Sequence, residues 1–206
     1  MKKHTLIIIF FVSLMIPVFP GAGPLDWPGN VHSKEPNAVE KEMGRLFRDM
    51  GVFKPPGTSE PIEFLLKDME GRGVRISDFR GKIVFLNFWA TWCPPCKQEM
   101  PSMEKLHKRL KNKDFVMIAI DLQEPASLVK KFFKEYKLTF ISLLDSTGEV
   151  GRQFGTNSIP TTFILDKKGK IIGAAIGARV WDSKKSIALF EFLMDMETNA
   201  SSKKGK

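Results

Sequence analysis

The chain's apolar positions fall into several rhythms, and each predicts a different element. Residues 6–19 are apolar except for Ser13 and Pro17, and they follow Lys2, Lys3 and His4. A short positive stretch ahead of such a run is the pattern of an export signal. The run is shorter than the roughly 20 residues of a membrane span. No charge falls between Leu6 and Leu25, however, so a retained anchor stays open beside a cleaved signal over residues 1–23. A buried terminal helix is the bland alternative, and the absence of a following cysteine excludes a lipoprotein anchor. Residues 24–61 are rich in Pro and Gly at both ends. Between these ends Val39, Met43, Leu46, Phe47 and Met50 recur at helical spacing. This predicts an amphipathic helix over Ala38–Met50, stopped by Gly51 and docked on the main domain; a partner-binding helix is the alternative.

From residue 62 the rhythm becomes that of a layered α/β domain. Residues 62–66 and 74–76 read as a hairpin around a turn at 68–73, and 77–79 as a helical turn closed by Gly81. Residues 83–89 are apolar but for Asn87, as expected of a central strand covered on both faces. A helix over 96–110 turns Met100, Met103, Leu106 and Leu110 inward, with Pro101 expected to kink it. Further strands follow at 115–120 and 140–144, and a hairpin at 161–166 and 170–175 turns on Lys167-Lys168-Gly169. Helices are expected at 127–136, carrying Leu128, Phe132, Phe133 and Tyr136, at 150–154, and at 181–196, with Ile187, Leu189, Phe190 and Leu193 as core candidates. The prediction is an α/β domain over 62–196 with a central mixed β-sheet of about five strands, an N-terminal hairpin extension, and a disordered tail over 197–206.

Composition narrows the function classes. The 206 residues suit one domain with appendages. Lys2 and Lys3 at one end and Lys203, Lys204 and Lys206 at the other supply five of the +9 net charge, leaving +4 between them. No basic stripe with interleaved aromatics appears, so no nucleic-acid partner is expected. Two cysteines exclude a disulfide-dense scaffold and a four-cysteine zinc site. The three histidines, His4, His32 and His107, are scattered, and His107 reads as a solvent-facing helix residue. No metal and no cofactor are expected.

The chemistry therefore rests on Cys93-Pro94-Pro95-Cys96, between the buried strand and its helix. A bridge across so small a loop adds little stability, which argues for reactivity over a structural disulfide. Free N–H groups at a helix start favour a thiolate at Cys93, and Cys96, one turn on, is placed to resolve a mixed disulfide. Neither proline has an amide proton to offer the Cys93 sulfur. The expected thiol pKa is at the upper end of the roughly 3.5–7 range of such motifs or above it, and the pair is expected to be a reductant.

Three segments, in order, resemble the exported thioredoxin-like thiol–disulfide oxidoreductases of the branch containing the TlpA and ResA proteins. They are the stretch from Phe85 through Trp92-Cys93-Pro94-Pro95-Cys96 to Pro101, the upstream stretch from Phe64 to Lys82, and Ile159-Pro160-Thr161-Thr162-Phe163. The resemblance covers about residues 62–196. It implies a thioredoxin fold, Cys93 as nucleophile, Cys96 as resolving thiol, and Pro160 as a cis-proline facing them. It also implies that Trp92 packs beside an exposed sulfur and that Trp92, Pro94, Pro95 and Ile159 meet substrate. Classical thioredoxins carry a buried aspartate six residues before the first cysteine; here Asn87 stands there and cannot ionise. Glu99 matches an acidic position of the ResA branch and is expected to tune the thiols, the plain alternative being a surface glutamate. The implied partners are disulfide-bearing exported proteins, such as apocytochrome c or a copper-site assembly protein, and a membrane electron donor. Membrane contact is expected through the N-terminal segment, with an extracytoplasmic location. Two rivals stand beside this reading. A peroxidase would carry Thr or Ser three residues before its attacking cysteine, where this chain has Ala90. A copper-binding assembly factor would want wider cysteine spacing and a suitable histidine.

Overall fold

The computed structural model describes residues 37–57 and 60–202. The leader expected over 1–23, the front of the 24–61 extension, His4, His32 and residues 203–206 lie outside the described residues.

Helix α1 (Ala38–Met50) starts on a reciprocal cap: the Glu40 amide donates to Asn37 Oδ1 (2.9 Å) and the Asn37 amide to Glu40 Oε2 (3.0 Å). It stops at Gly51, whose φ of 61° suits a residue without Cβ. Leu46 and Phe47 are buried, whereas Val39 is exposed, so the C-terminal half of the helix makes the docking contact. The close approach has a sequence cause. A Cβ on Gly173 would lie 2.7 Å from Val52 Cγ1 and 3.1 Å from Phe47 Cζ, so only glycine lets this segment settle there.

Strands β1 (Leu65–Asp68) and β2 (Gly73–Arg75) form the expected hairpin, the first strand starting later than predicted and the second one residue earlier. Residues 61–62 are diverted instead: Pro61 bridges Lys170, and the Ile62 amide donates to the Gly169 carbonyl. Asp68 closes the hairpin turn by accepting from the Glu70 and Arg72 amides, both at 2.9 Å. A single 3-10 turn, Ile76–Phe79, leads to β3 (Ile83–Trp89), which is buried at every position.

The remaining elements are α2 (Pro94–Leu110), β4 (Phe115–Leu122), α3 (Ala126–Tyr136), β5 (Ile141–Asp145), α4 (Glu149–Gln153), β6 (Thr161–Leu165), β7 (Ile171–Ile176) and α5 (Lys184–Ser202). The sheet order is β2-β1-β5-β4-β3-β6-β7, seven strands where about five were expected. The hairpin is the reason: β1 pairs antiparallel with β5 through Lys67↔Leu144, so it extends the sheet rather than standing apart. β3 is parallel to β4 and antiparallel to β6, which makes the sheet mixed as predicted.

β3 explains why its sequence is so apolar. Ile83, Phe85 and Trp89 enter one core with side chains of α1, α2, α3 and α5, while Val84, Leu86 and Phe88 enter a second with Ile76, Val150 and Phe154. Met100, Met103, Leu106 and Leu110 of α2 are buried as predicted, and the helix continues through Pro101. In α3 Val129, Phe132 and Phe133 are buried, while Leu128 and Tyr136 are exposed and Tyr136 stacks on Phe132 from outside. His107 is corrected too. It is half-buried with its ring against Phe140, and burial pushes its pKa down. α5 begins after Trp181, whose indole is occupied elsewhere, and its backbone is helical to Ser202, into the tail expected to be disordered. Among the described residues no helix is long and apolar enough to cross a membrane.

Candidate active site

The end of β3 delivers Ala90-Thr91-Trp92 to the start of α2. Cys93 is the N-cap of that helix, and Pro94 and Pro95 occupy its first turn, where a missing N–H is tolerated. The first helical amide able to reach back is that of Cys96, which lies 3.2 Å from Cys93 Sγ. The prolines thus leave the sulfur one close amide donor. Cys93 and Cys96 are joined in a disulfide.

The sulfurs are less open than the resemblance implied. Cys93 is 2% exposed and Cys96 is fully buried, while the neighbouring Trp92 stands 65% exposed. Pro94 and Pro95 are exposed and Ile159 half-buried, so these residues form the rim through which a partner would approach. The Ile159–Pro160 bond is cis, as expected. The Ile159 carbonyl lies 3.8 Å from Cys93 Sγ. That loop is fastened by Thr161 Oγ1 donating to the Ser158 carbonyl (2.7 Å) and the Gly177 amide donating to the Pro160 carbonyl (2.8 Å).

Beneath the cysteines lies Glu99, one helical turn after Cys96 and 2% exposed. Its Oε1 accepts from Asn87 Nδ2 (2.9 Å), and its Oε2 accepts from Trp181 Nε1 (3.0 Å) and the Arg179 amide (3.3 Å). Asn87 is in turn tied to Thr162 Oγ1 at 3.0 Å. Burial pushes Glu99 up to about 7, although the Trp181, Asn87 and Arg179 hydrogen bonds and the Arg179 charge oppose the rise. A carboxyl poised there takes or gives a proton readily near neutral pH.

Sequence reasoning brought Cys93, Cys96, Glu99, Ile159 and Pro160 to one place, and the structure places them together. It missed Trp181 and Arg179, which close over Glu99 from a distant loop. It also missed Asp121 and Glu124 at the C-terminal end of β4. Glu124 accepts from the Thr91 amide (2.5 Å) and Thr91 Oγ1 (2.6 Å), and its own amide donates to Asp121 Oδ1 (3.1 Å). Burial first, then a side-chain hydrogen bond with Glu124 and the Glu124 charge, push Asp121 up to about 8. The available signal was position: charged residues ending a buried parallel strand face the same edge as the site. Among the described residues no cluster of His, Cys, Asp and Glu could hold a metal ion.

Comparison with known proteins agrees with this geometry. Residues 58–174 match the AhpC/TSA family. A thiol-disulfide oxidoreductase ResA of Bacillus thuringiensis is 44% identical over 113 residues, covering 55% of this chain and 65% of the relative. The ResA of Geobacillus thermodenitrificans is 43% identical over 115 residues, covering 56% of this chain and 66% of the relative. These matches span just under two thirds of either relative. Among solved structures, StoA from Bacillus subtilis superposes with a TM-score of 0.55 at 32% identity, covering 63% of this chain and 98% of that one. The fold is thioredoxin-like.

Proposed function

We propose, from the premise that this chain belongs to the AhpC/TSA family, that it is a thiol–disulfide oxidoreductase reducing disulfides of exported proteins. The observation that carries the reading is the Cys93–Cys96 disulfide at the head of α2, against the Ile159–Pro160 loop and above the buried Glu99. The relatives named as thiol-disulfide oxidoreductases support it.

In the dithiol form, the Cys93 thiolate attacks one sulfur of a substrate disulfide. A mixed disulfide forms and the other substrate sulfur leaves as a thiolate, which takes up a proton. The Cys96 thiol, losing its proton, then attacks Cys93 Sγ. The internal disulfide closes, the second substrate sulfur is released, and two electrons have passed to the substrate. Glu99, one turn from Cys96, takes up that proton in this reading. Trp92, Pro94, Pro95 and Ile159 form the rim that meets the substrate chain, and Pro160 presents the Ile159 backbone to it. The prolines' missing amides leave the Cys93 thiolate poorly stabilised, which makes the pair a reductant.

The partners follow from the same reading. Candidate substrates are exported proteins with a disulfide, such as apocytochrome c or a copper-site assembly protein. The spent disulfide is restored by a membrane dithiol donor, reached from an extracytoplasmic position behind the N-terminal segment. The test is a glutathione redox titration with insulin as a model substrate. The expected outcome is insulin reduction and a potential well below about −150 mV; a value above it would place the protein among the oxidants. The family's name also brings a peroxidase to mind, but Ala90 occupies the position where a peroxidase needs a hydroxyl. Peroxide consumption without insulin reduction would favour that second reading.

A further inference from the structure

The loop after β7 is tied to the end of α1 by one side chain. The Arg179 guanidinium donates from Nε to the Met50 carbonyl (2.8 Å) and from Nη2 to the Gly51 carbonyl (2.9 Å) at the end of α1. Its Nη1 donates to the Ile176 (2.9 Å) and Gly177 (2.5 Å) carbonyls at the end of β7. The same residue's amide donates to Glu99 Oε2, and its carbonyl accepts from Ser102 Oγ at 3.4 Å. Two residues on, the Trp181 amide donates to Ser102 Oγ (3.0 Å) while its indole donates to Glu99. Gly177 touches the other side of the site through the Pro160 carbonyl.

We propose that Arg179 is a positioning residue for the redox centre: by clamping the end of α1 to the end of β7 it holds the loop that cages Glu99. This rests on the reading that Glu99 serves the thiols. The chemistry favours arginine. Only a planar fork with several donors can bridge four carbonyls from two elements, and a lysine ammonium cannot. Gly51 belongs to the same device, because a Cβ there would sit 3.2 Å from Arg179 Nη2. The arrangement couples a segment N-terminal to the family-matched residues 58–174 to a carboxyl at the heart of the site. The surroundings of Glu99 make the coupling legible. β3 and β6 present the neutral Asn87 and Thr162, residue 181 presents a neutral indole, and α2 itself presents Cys96 one turn earlier. Among the described residues, Arg179 is the charged group acting on Glu99, and it favours the carboxylate.

The test is a carbon-detected NMR titration of the Glu99 carboxyl in the oxidised full chain, with amide exchange of α1 followed in parallel. It needs no turnover, so its failure is distinguishable from failure of the reductase reading. Arg179→Gln is expected to raise the Glu99 midpoint and to speed exchange across the end of α1. Arg179→Lys, which keeps the charge but not the fork, is expected to speed the exchange while moving the midpoint less. The pH profile of insulin reduction by Arg179→Gln should move with the midpoint, and that movement should vanish in a Glu99→Gln background. An unchanged Glu99 midpoint in Arg179→Gln, or a profile shift that survives in Glu99→Gln, would overturn the proposal. Should Arg179→Gln not fold, unchanged α1 exchange in Arg179→Lys overturns it equally.

Discussion

Replacing Glu99 by glutamine should change how the fold responds to pH. In the folded protein Glu99 titrates near 7 because burial disfavours its charge, whereas the ordinary value is 4.5. The folded state thus binds this proton more tightly than the unfolded chain. The stability linked to it is fully present below pH 4.5 and is lost as pH rises through 7. At about 1.4 kcal/mol per pH unit, the displacement is worth roughly 3 kcal/mol, a large part of the roughly 5–15 kcal/mol of a typical domain. Glutamine carries no charge at any pH. It does turn an NH2 toward donors that Glu99 accepts from, a pH-independent loss of about 1 kcal/mol. Guanidinium unfolding of the oxidised protein, whose disulfide does not titrate, measures the difference. Glu99→Gln should be less stable than the wild type at pH 4.5 and more stable at pH 8.5, the two differences lying roughly 3 kcal/mol apart. Asp121 adds its own pH dependence to both proteins, so the comparison isolates Glu99. Parallel stability curves across that range would refute the reasoning.

Removing one donor from the Glu99 cage should shift it further. Trp181→Phe deletes the indole hydrogen bond at 3.0 Å, so the Glu99 midpoint should rise above 7 in an NMR titration. Asp121, pushed up to about 8 by burial and Glu124, destabilises the fold once it ionises. Asp121→Asn should therefore flatten the loss of stability above neutral pH, read by thermal melting at pH 6 and 9. Gly173→Ala should cost about 1–3 kcal/mol, because its Cβ would meet Val52 at 2.7 Å; a melting temperature unchanged from wild type would contradict the docking of α1. Met100→Ala, fully buried under the sheet, should cost about 2–5 kcal/mol by chemical denaturation.

Much of this was legible because it is written locally. The span of α1 follows from the helical spacing of Val39, Met43, Leu46, Phe47 and Met50 and from Gly51, all within one short window, while the Asn37 cap emerges in the structure. The unbroken burial of β3 follows from a run that no half-exposed strand would carry. The cysteine pair and Pro160 stand in short motifs with chemical meaning at their own positions. What was hidden depends on residues far apart in sequence. Glu99 could equally have been a surface glutamate; it is buried because Asn87, Arg179 and Trp181 converge on it from two distant segments. In α3 the adjacent apolar residues leave the buried face open in sequence, and only packing puts Phe132 and Phe133 inside with Leu128 and Tyr136 exposed. The hairpin boundary slipped because Pro61 and Ile62 bond to the turn before β7, a pairing across more than a hundred residues that no local pattern encodes.

In the proposed mechanism Cys93 attacks and Cys96 resolves. The direct measurement is mass spectrometry of the reduced Cys96→Ala protein after exposure to a disulfide-containing peptide. The expected result is a stable mixed disulfide mapped to Cys93, absent in Cys93→Ala. No adduct on Cys93, or an adduct that persists in Cys93→Ala, would contradict it.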